Sequence, residues 1–242
     1  KPFFWTLIGG NLYFSSTLDA FSAIPGWIGR LQPDVLALQG DTCILPFRQT
    51  VYSQAFALPP ASWAFATCEH PEPAGLRYWH PKFLPKHNIT EDEALSEYEE
   101  LLTDSIRLRL RADVPLALTF SGGVDSGTIA AIATKKLNRS LTCFCIDNHT
   151  AENPSEETLI AIRAAKHLDL PFHLIPFDQN QDILSSLPEA MRYFDQPTTQ
   201  IGITYSMRLY KAIKRQATVV LSGAGGDELF AGYNGDELAL LQ

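Results

Sequence analysis

The apolar positions of this chain change period part-way along it. Residues 3–8 and 11–15 are short apolar runs on either side of Gly9-Gly10, the pattern of a β-hairpin. Residues 34–38, following Pro33, read as a short helix. Residues 50–57 and 63–67 flank Pro59-Pro60 and read as two further strands. A linker with Pro71, Pro73, Pro81 and Pro85 comes next. From Thr90 the spacing turns helical. Thr90 and Glu93 form a capping box, and Ala94, Tyr98, Leu101, Leu102, Ser105 and Leu108 recur on one face. Arg107, Arg109 and Arg111 then sit where the helix dipole favours cations.

Beyond that helix the pattern alternates. Residues 116–120, 141–146, 172–176 and 218–221 read as strands. Residues 126–137, 156–168, 183–193 and 206–214 read as helices. Strands separated by helices predict a parallel sheet with right-handed crossovers and a ligand site at the strands' carboxyl ends. The expected fold class is therefore α/β, a parallel sheet with helices on both faces, preceded by a mostly β region.

Composition sharpens this division. Of 242 residues, 45% are apolar and 19% charged, enough to bury a core. The net charge of −8 argues against a general nucleic-acid binder, and no run of 18 apolar residues spells a membrane span. The charge is uneven: residues 1–79 carry 4 basic and 5 acidic side chains, residues 80–242 carry 15 and 22. The first third also holds all four tryptophans, Trp5, Trp27, Trp63 and Trp79. A segment so apolar should pack against further protein. The expected domains are 1–79 and 80–242. Lys1-Pro2 leads straight into an aromatic run with no initiator Met, which reads as a fragment or a processed product. Cys143 and Cys145 share one face of a strand and read as reduced core thiols, and Cys43 and Cys68 lack metal-ligand spacing. The six histidines form no metal-spaced pair and read as solvated or capping residues.

The chemistry concentrates in two loops. After the strand ending at Phe120 comes Ser121-Gly122-Gly123-Val124-Asp125-Ser126, then a helix. Glycines there let backbone N–H groups approach a phosphate, and the helix N-terminus favours an anion. Asp125 would repel phosphate without a metal and so reads as a Mg²⁺ ligand. No Gly-Lys-Ser/Thr follows, so this is not a Walker A loop, and it is not a Rossmann fingerprint. The second loop, Ser222-Gly223-Ala224-Gly225-Gly226-Asp227-Glu228, also follows a strand. Its Asp227 is placed to share a metal with Asp125. Glu156 and Glu157 open a helix, where acidic residues suit the dipole.

Together these loops resemble the glutamine-dependent asparagine synthetase family. The first looks like the pyrophosphate loop of N-type ATP pyrophosphatases, with an adenine nucleotide α-hydrolase-like fold. Residues 1–18 and Leu58-Pro59-Pro60 look like the later part of that family's N-terminal glutaminase domain. Arg77-Tyr78-Trp79 resembles its domain junction and Asp195-Gln196-Pro197 its Asp-Glu-Pro element. The resemblance implies ATP held by Phe120, Ser121, Gly122, Gly123, Asp125, Ser126, Ile146, Ser222 and Gly223, with Mg²⁺ on Asp125 and Asp227. A carboxylate, aspartate in the first instance, would form an acyl-adenylate, and ammonia or an amine would displace AMP. The chain departs from the asparagine synthetases proper at Ala224, where they often carry an acid and relatives vary, and from the family's usual Glu at Gln196. The family's glutaminase cysteine would lie upstream of Lys1, and a later lysine beyond Gln242. Tyr193 and Asp195 read equally as acceptor-site or as core and cap residues. The alternatives are a relative that closes an amide ring on a peptide or β-lactam precursor, and a non-catalytic ATP-binding fragment. A cytoplasmic location and a homodimer complete the expectation.

Overall fold

The computed structural model describes residues 2–42, 45, 48–80, 88–147, 154–198, 200–230 and 232–233. Cys43, Pro81, Pro85, His87 and His149 lie outside the described residues. The chain divides into two compact units, one of residues 1–86 and 187–203, the other of 87–186 and 204–242.

In the first unit β1 (Phe4–Ile8) and β2 (Asn11–Ser15) form the expected hairpin, with Ile8 opposite Asn11. Gly9 and Gly10 have φ of 58° and 79°, as a two-residue hairpin turn requires. A third strand, β3 (Ala55–Ala57), pairs antiparallel with β1. The strand expected over 50–57 is thus only its last three residues. Thr50 Oγ1 donates to the carbonyls of Tyr52 (3.1 Å) and Ala55 (2.9 Å), holding a local turn in place of a ladder. Phe4, Leu18, Phe21 and Ala55 are buried together, with Tyr13, Trp27 and Tyr52 packed on them. Helix α1 (Pro33–Thr42) runs longer than residues 34–38. Strand β4 (Ser62–Phe65) pairs with β5 (Ala74–Arg77), which the prolines around it had marked as linker.

The short stretch 187–203 belongs to this unit through its side chains. Asp195 Oδ1 accepts the N–H of Leu18 at 2.6 Å and of Asp19 at 3.3 Å. Gln196 Oε1 accepts the N–H of Val51 at 2.9 Å. Asp195 therefore caps the 3₁₀ turn Asp19–Ala23, the cap role being one of the two expected for it.

The second unit opens with α2 (Glu91–Arg109). Its capping box is present: Thr90 Oγ1 accepts from Glu93 N and Glu93 Oε2 accepts from Thr90 N. Strand β6 (Leu116–Thr119) leads into α3 (Val124–Ala131), which continues as a π turn, Ile132–Lys136. Then come β7 (Thr142–Asp147), α4 (Glu156–His167), β8 (Phe172–Pro176) and α5 (Gln179–Ala190). After the 187–203 stretch, α6 (Ile203–Ile213), β9 (Val219–Leu221) and α7 (Gly226–Phe230) complete the unit.

The four strands are parallel, in the order β8-β7-β6-β9. Alternate residues face opposite ways, so each strand feeds two cores. Leu118, Phe120, Cys143 and Cys145 pack with Ile106 of α2, Ala130 of α3 and Ala161 and Ala165 of α4. Ala117 and Phe144 pack on the other face with Ile213 and Leu209 of α6. Helices thus cover both faces, as expected. Leu118 is fully buried, a contribution of about 1.5–3 kcal/mol for a side chain of this size. His173 is half-buried and stacks on the Phe144 ring, with centroids 4.9 Å apart. No described helix is long and apolar enough to cross a membrane.

Candidate active site

The strand order carries a direct consequence. The chain goes from β6 to β7 and β8 on one side, then returns with β9 on the other. Ligands in such sheets enter where the order reverses, at the carboxyl ends of the strands. Both glycine-rich loops emerge there, one from β6 and one from β9. Thr119 Oγ1 donates to Leu221 O at 3.2 Å, tying the two strand ends together.

The first loop is braced by its own hydroxyls. Ser126, nearly buried, accepts the Ser121 N–H at 3.3 Å and lies 3.1 Å from Ser121 Oγ. Ser121 Oγ in turn accepts the Gly123 N–H at 3.3 Å. Gly122 has φ of +74°, and a Cβ there would stand 2.6 Å from Ala161 Cα. The turn is therefore open only to glycine, with α4 pressed against it. Gly123 then caps α3, whose first-turn N–H groups lack intrahelical acceptors.

The second loop closes on the first. A Cβ on Gly223 would lie 2.9 Å from Asp125 Cβ and 3.1 Å from Ser126 N. Ser222 Oγ accepts the Ala224 N–H at 3.2 Å, and Gly226 N donates to Gly223 O at 3.2 Å.

Between the loops lies a cavity of about 380 Å³. Phe120, Ser121, Gly123, Asp125, Ser126, Ile146, Ser222, Gly223 and Asp227 all line it, so nearly every expected site residue converges there. Gly122 does not line it and serves the turn. Phe120 is buried, with its ring meeting Phe172 edge-on at 6.4 Å, so it belongs to the core as well as to the wall. The wall also includes Ala224 of the second loop and residues the motifs did not name: Cys145, Ser155, Glu157, Thr158 and Leu209. Ser155, Glu157 and Thr158 come from the β7–α4 junction, which the carboxyl-end rule for parallel sheets does point to.

That junction is a polar network centred on Asp147 Oδ1. Ser155 Oγ accepts the Thr158 N–H at 3.1 Å, and Thr158 Oγ1 donates to the buried Asp147 Oδ1 at 3.0 Å. Burial pushes the Cys145 thiol up to about 11, with the carboxylates of Asp147 and Glu157 adding to it. Burial alone pushes Cys143 up to about 12. Both thiols are therefore neutral and inert at physiological pH, in keeping with a core role.

Asp125 and Asp227 are hard oxygen donors on one cavity, and no group of three or more His, Cys, Asp or Glu side chains with metal-binding geometry occurs among the described residues. That donor set fits Mg²⁺, which is held by one or two carboxylates plus substrate phosphates rather than by an all-protein cage.

The chain belongs to the asparagine synthase family, whose model, described as Asparagine synthase, matches residues 97–241. It is 26% identical to asparagine synthetase [glutamine-hydrolyzing] 1 of Bacillus subtilis, over 97% of this chain and 36% of that protein. It is equally 26% identical to amidase chyE of Penicillium rubens, over 100% of this chain and 37% of that protein. A putative asparagine synthetase 2 of Methanocaldococcus jannaschii is 26% identical over 96% of this chain and 45% of that protein. The chain thus spans less than half the length of these curated relatives. Among solved structures, the NH3-dependent NAD synthetase of Campylobacter jejuni aligns with a TM-score of 0.41 and 20% identity, covering 57% of this chain and 60% of that one.

Proposed function

We propose that this chain carries the nucleotide site of an ATP-dependent, AMP-forming amide ligase. The observation that supports it best is the convergence of both glycine-rich loops, with Asp125 and Asp227, on one cavity at the reversal point of a parallel sheet. In this reading the N–H groups of the first loop and the N-terminus of α3 take the phosphates of ATP. Ser121 and Ser126 orient them through their hydroxyls. Asp125 and Asp227 would hold Mg²⁺, which would supply positive charge against the pyrophosphate. A substrate carboxylate oxygen attacks the α-phosphorus, forming the acyl–phosphate bond as the bond to pyrophosphate breaks. Ammonia then attacks the acyl carbon, loses a proton, and AMP leaves. The fixed dipoles of the loops supply electrostatic stabilisation where negative charge builds.

Aspartate is the first candidate carboxylate, by family membership. A second reading is closure of an amide ring on a larger substrate; Ala224, which puts a methyl group on the cavity wall, leaves the aspartate-specific reading less supported than the ATP reading. Residues 1–79, with their antiparallel strands, are proposed as the later part of a glutaminase-like domain and 80–242 as the start of the synthetase domain. A cytoplasmic setting is also proposed, supported by the free thiols of Cys68, Cys143 and Cys145.

Asp125→Asn in the full-length protein tests the site. Loss of Mg²⁺·ATP binding and of ATP-dependent pyrophosphate release is expected. Unchanged release would sink the assignment. An acceptor screen then separates the readings, since asparagine formed from aspartate and ammonia supports the first and cyclised product without asparagine the second.

A further inference from the structure

The cavity has two walls of opposite chemistry. One wall is the pair of glycine-rich loops, which donate N–H and O–H groups and carry Asp125 and Asp227. The other is the carboxyl end of β7 (Phe144, Cys145 and Ile146) with the first turn of α4. On this second wall the hydroxyls of Ser155 and Thr158 are already engaged with each other and with Asp147. Glu157 is different. It lines the cavity, it is exposed, and no hydrogen bond or ion pair to it occurs among the described residues. Its charge reaches the β7 end, where it acts on the Cys145 thiol after burial and Asp147.

An ionised carboxylate only accepts hydrogen bonds. Facing a triphosphate it would be repelled, so its partner must be a donor on the nucleoside. ATP offers two kinds, the ribose hydroxyls and the adenine amine. The vicinal ribose diol presents two donors side by side, matching the two oxygens of one carboxylate, as acidic residues do in other nucleotide sites. We propose that Glu157 binds the ribose hydroxyls of ATP. It thereby sets the direction of the nucleotide along the cavity, with the phosphates on residues 121–126, and selects ribo- over deoxyribonucleotides. This inference rests on the ATP reading above.

Calorimetric titration of the full chain with Mg²⁺ and ATP, 2′-deoxy-ATP, 3′-deoxy-ATP and inosine triphosphate tests it. The wild type is expected to prefer ATP over either deoxy analogue by about tenfold, the worth of a hydrogen bond to a charged group. Glu157→Ala should bind ATP more weakly than the wild type binds either deoxy analogue, should lose part of its affinity for each analogue, whose remaining hydroxyl also meets Glu157, and should keep the ATP-to-inosine triphosphate ratio. If the alanine variant does not fold, Glu157→Gln, of the same shape, should shift the ratios in the same direction. A deoxy preference retained in the variant overturns the inference. So does a change confined to inosine triphosphate, which would give Glu157 to the adenine amine. A wild type that binds ATP without distinguishing the deoxy forms overturns the ribose contact alone. A wild type that binds none of the four overturns the ATP reading itself.

Discussion

Gly226 leaves its side-chain space to the carboxylate of Asp125: a Cβ on Gly226 would stand 2.5 Å from Asp125 Cγ and 2.5 Å from its Oδ1. The two residues lie a hundred positions apart, on the loops after β6 and β9. The second loop thus fixes where the first loop's acid points. Gly226→Ala must displace that carboxylate while leaving the two cores intact. The melting temperature is expected to change little, and ATP-dependent pyrophosphate release by the full-length protein to fall by roughly a hundredfold, as an ångström of misplacement can cost. Wild-type release from a folded Gly226→Ala protein would separate Asp125 from the reaction.

Gly122 predicts the opposite outcome. A side chain there meets both a left-handed φ of +74° and the Ala161 backbone. Gly122→Ala is expected to lose about 2–4 kcal/mol of stability, from left-handed strain plus overpacking. Urea unfolding followed by circular dichroism measures it. A loss below the noise of that measurement would mean that α4 moves freely away from the loop.

The buried thiols make stability fall with alkali. Cys143 and Cys145 titrate near 12 and 11 in the fold, against an ordinary value of 9.0. The fold favours the neutral thiol, so this contribution is fully present below pH 9. It is lost as pH rises above 9 towards 11, because only the unfolded chain ionises readily. Urea midpoints at pH 8 and pH 10.5 should differ more for wild type than for Cys143→Ala/Cys145→Ala. Equal differences would place the titration elsewhere.

Asp195 supports the first unit from a distance. Its Oδ1 accepts the N–H of Leu18, a residue buried to 2% exposure. Asp195→Ala leaves that donor unsatisfied and is expected to cost about 1.5–3 kcal/mol, the range for hydrogen bonds to charged groups. Limited proteolysis should then cut the first unit sooner. Nucleotide affinity of the folded variant should stay at the wild-type value, since Asp195 caps the first unit and lines no part of the cavity.

Much of this architecture was written locally. The Thr90–Glu93 capping box, the Gly9-Gly10 hairpin turn and the period of β6, α3, β7, α4 and β8 depend on neighbours a few residues apart, and all were legible in the sequence. β5 was not, because a strand set among prolines forms only when β4 pairs with it. Residues 50–54 erred the other way, since their strand-like pattern gave way to the side-chain hydrogen bonds of Thr50. The stacking of His173 was not legible because its partner, Phe144, lies on the neighbouring strand.

By itself the sequence determined the α/β alternation, the two glycine-rich loops and the acids they carry, because backbone freedom and hydrophobic period are properties of short stretches. Only the tertiary structure decided that β9 lies beside β6, that Gly223 and Gly226 wrap Asp125, and that Glu157 reaches the same cavity. Those relations are contacts between distant segments, set by how the sheet orders its strands and how the helices pack on its two faces.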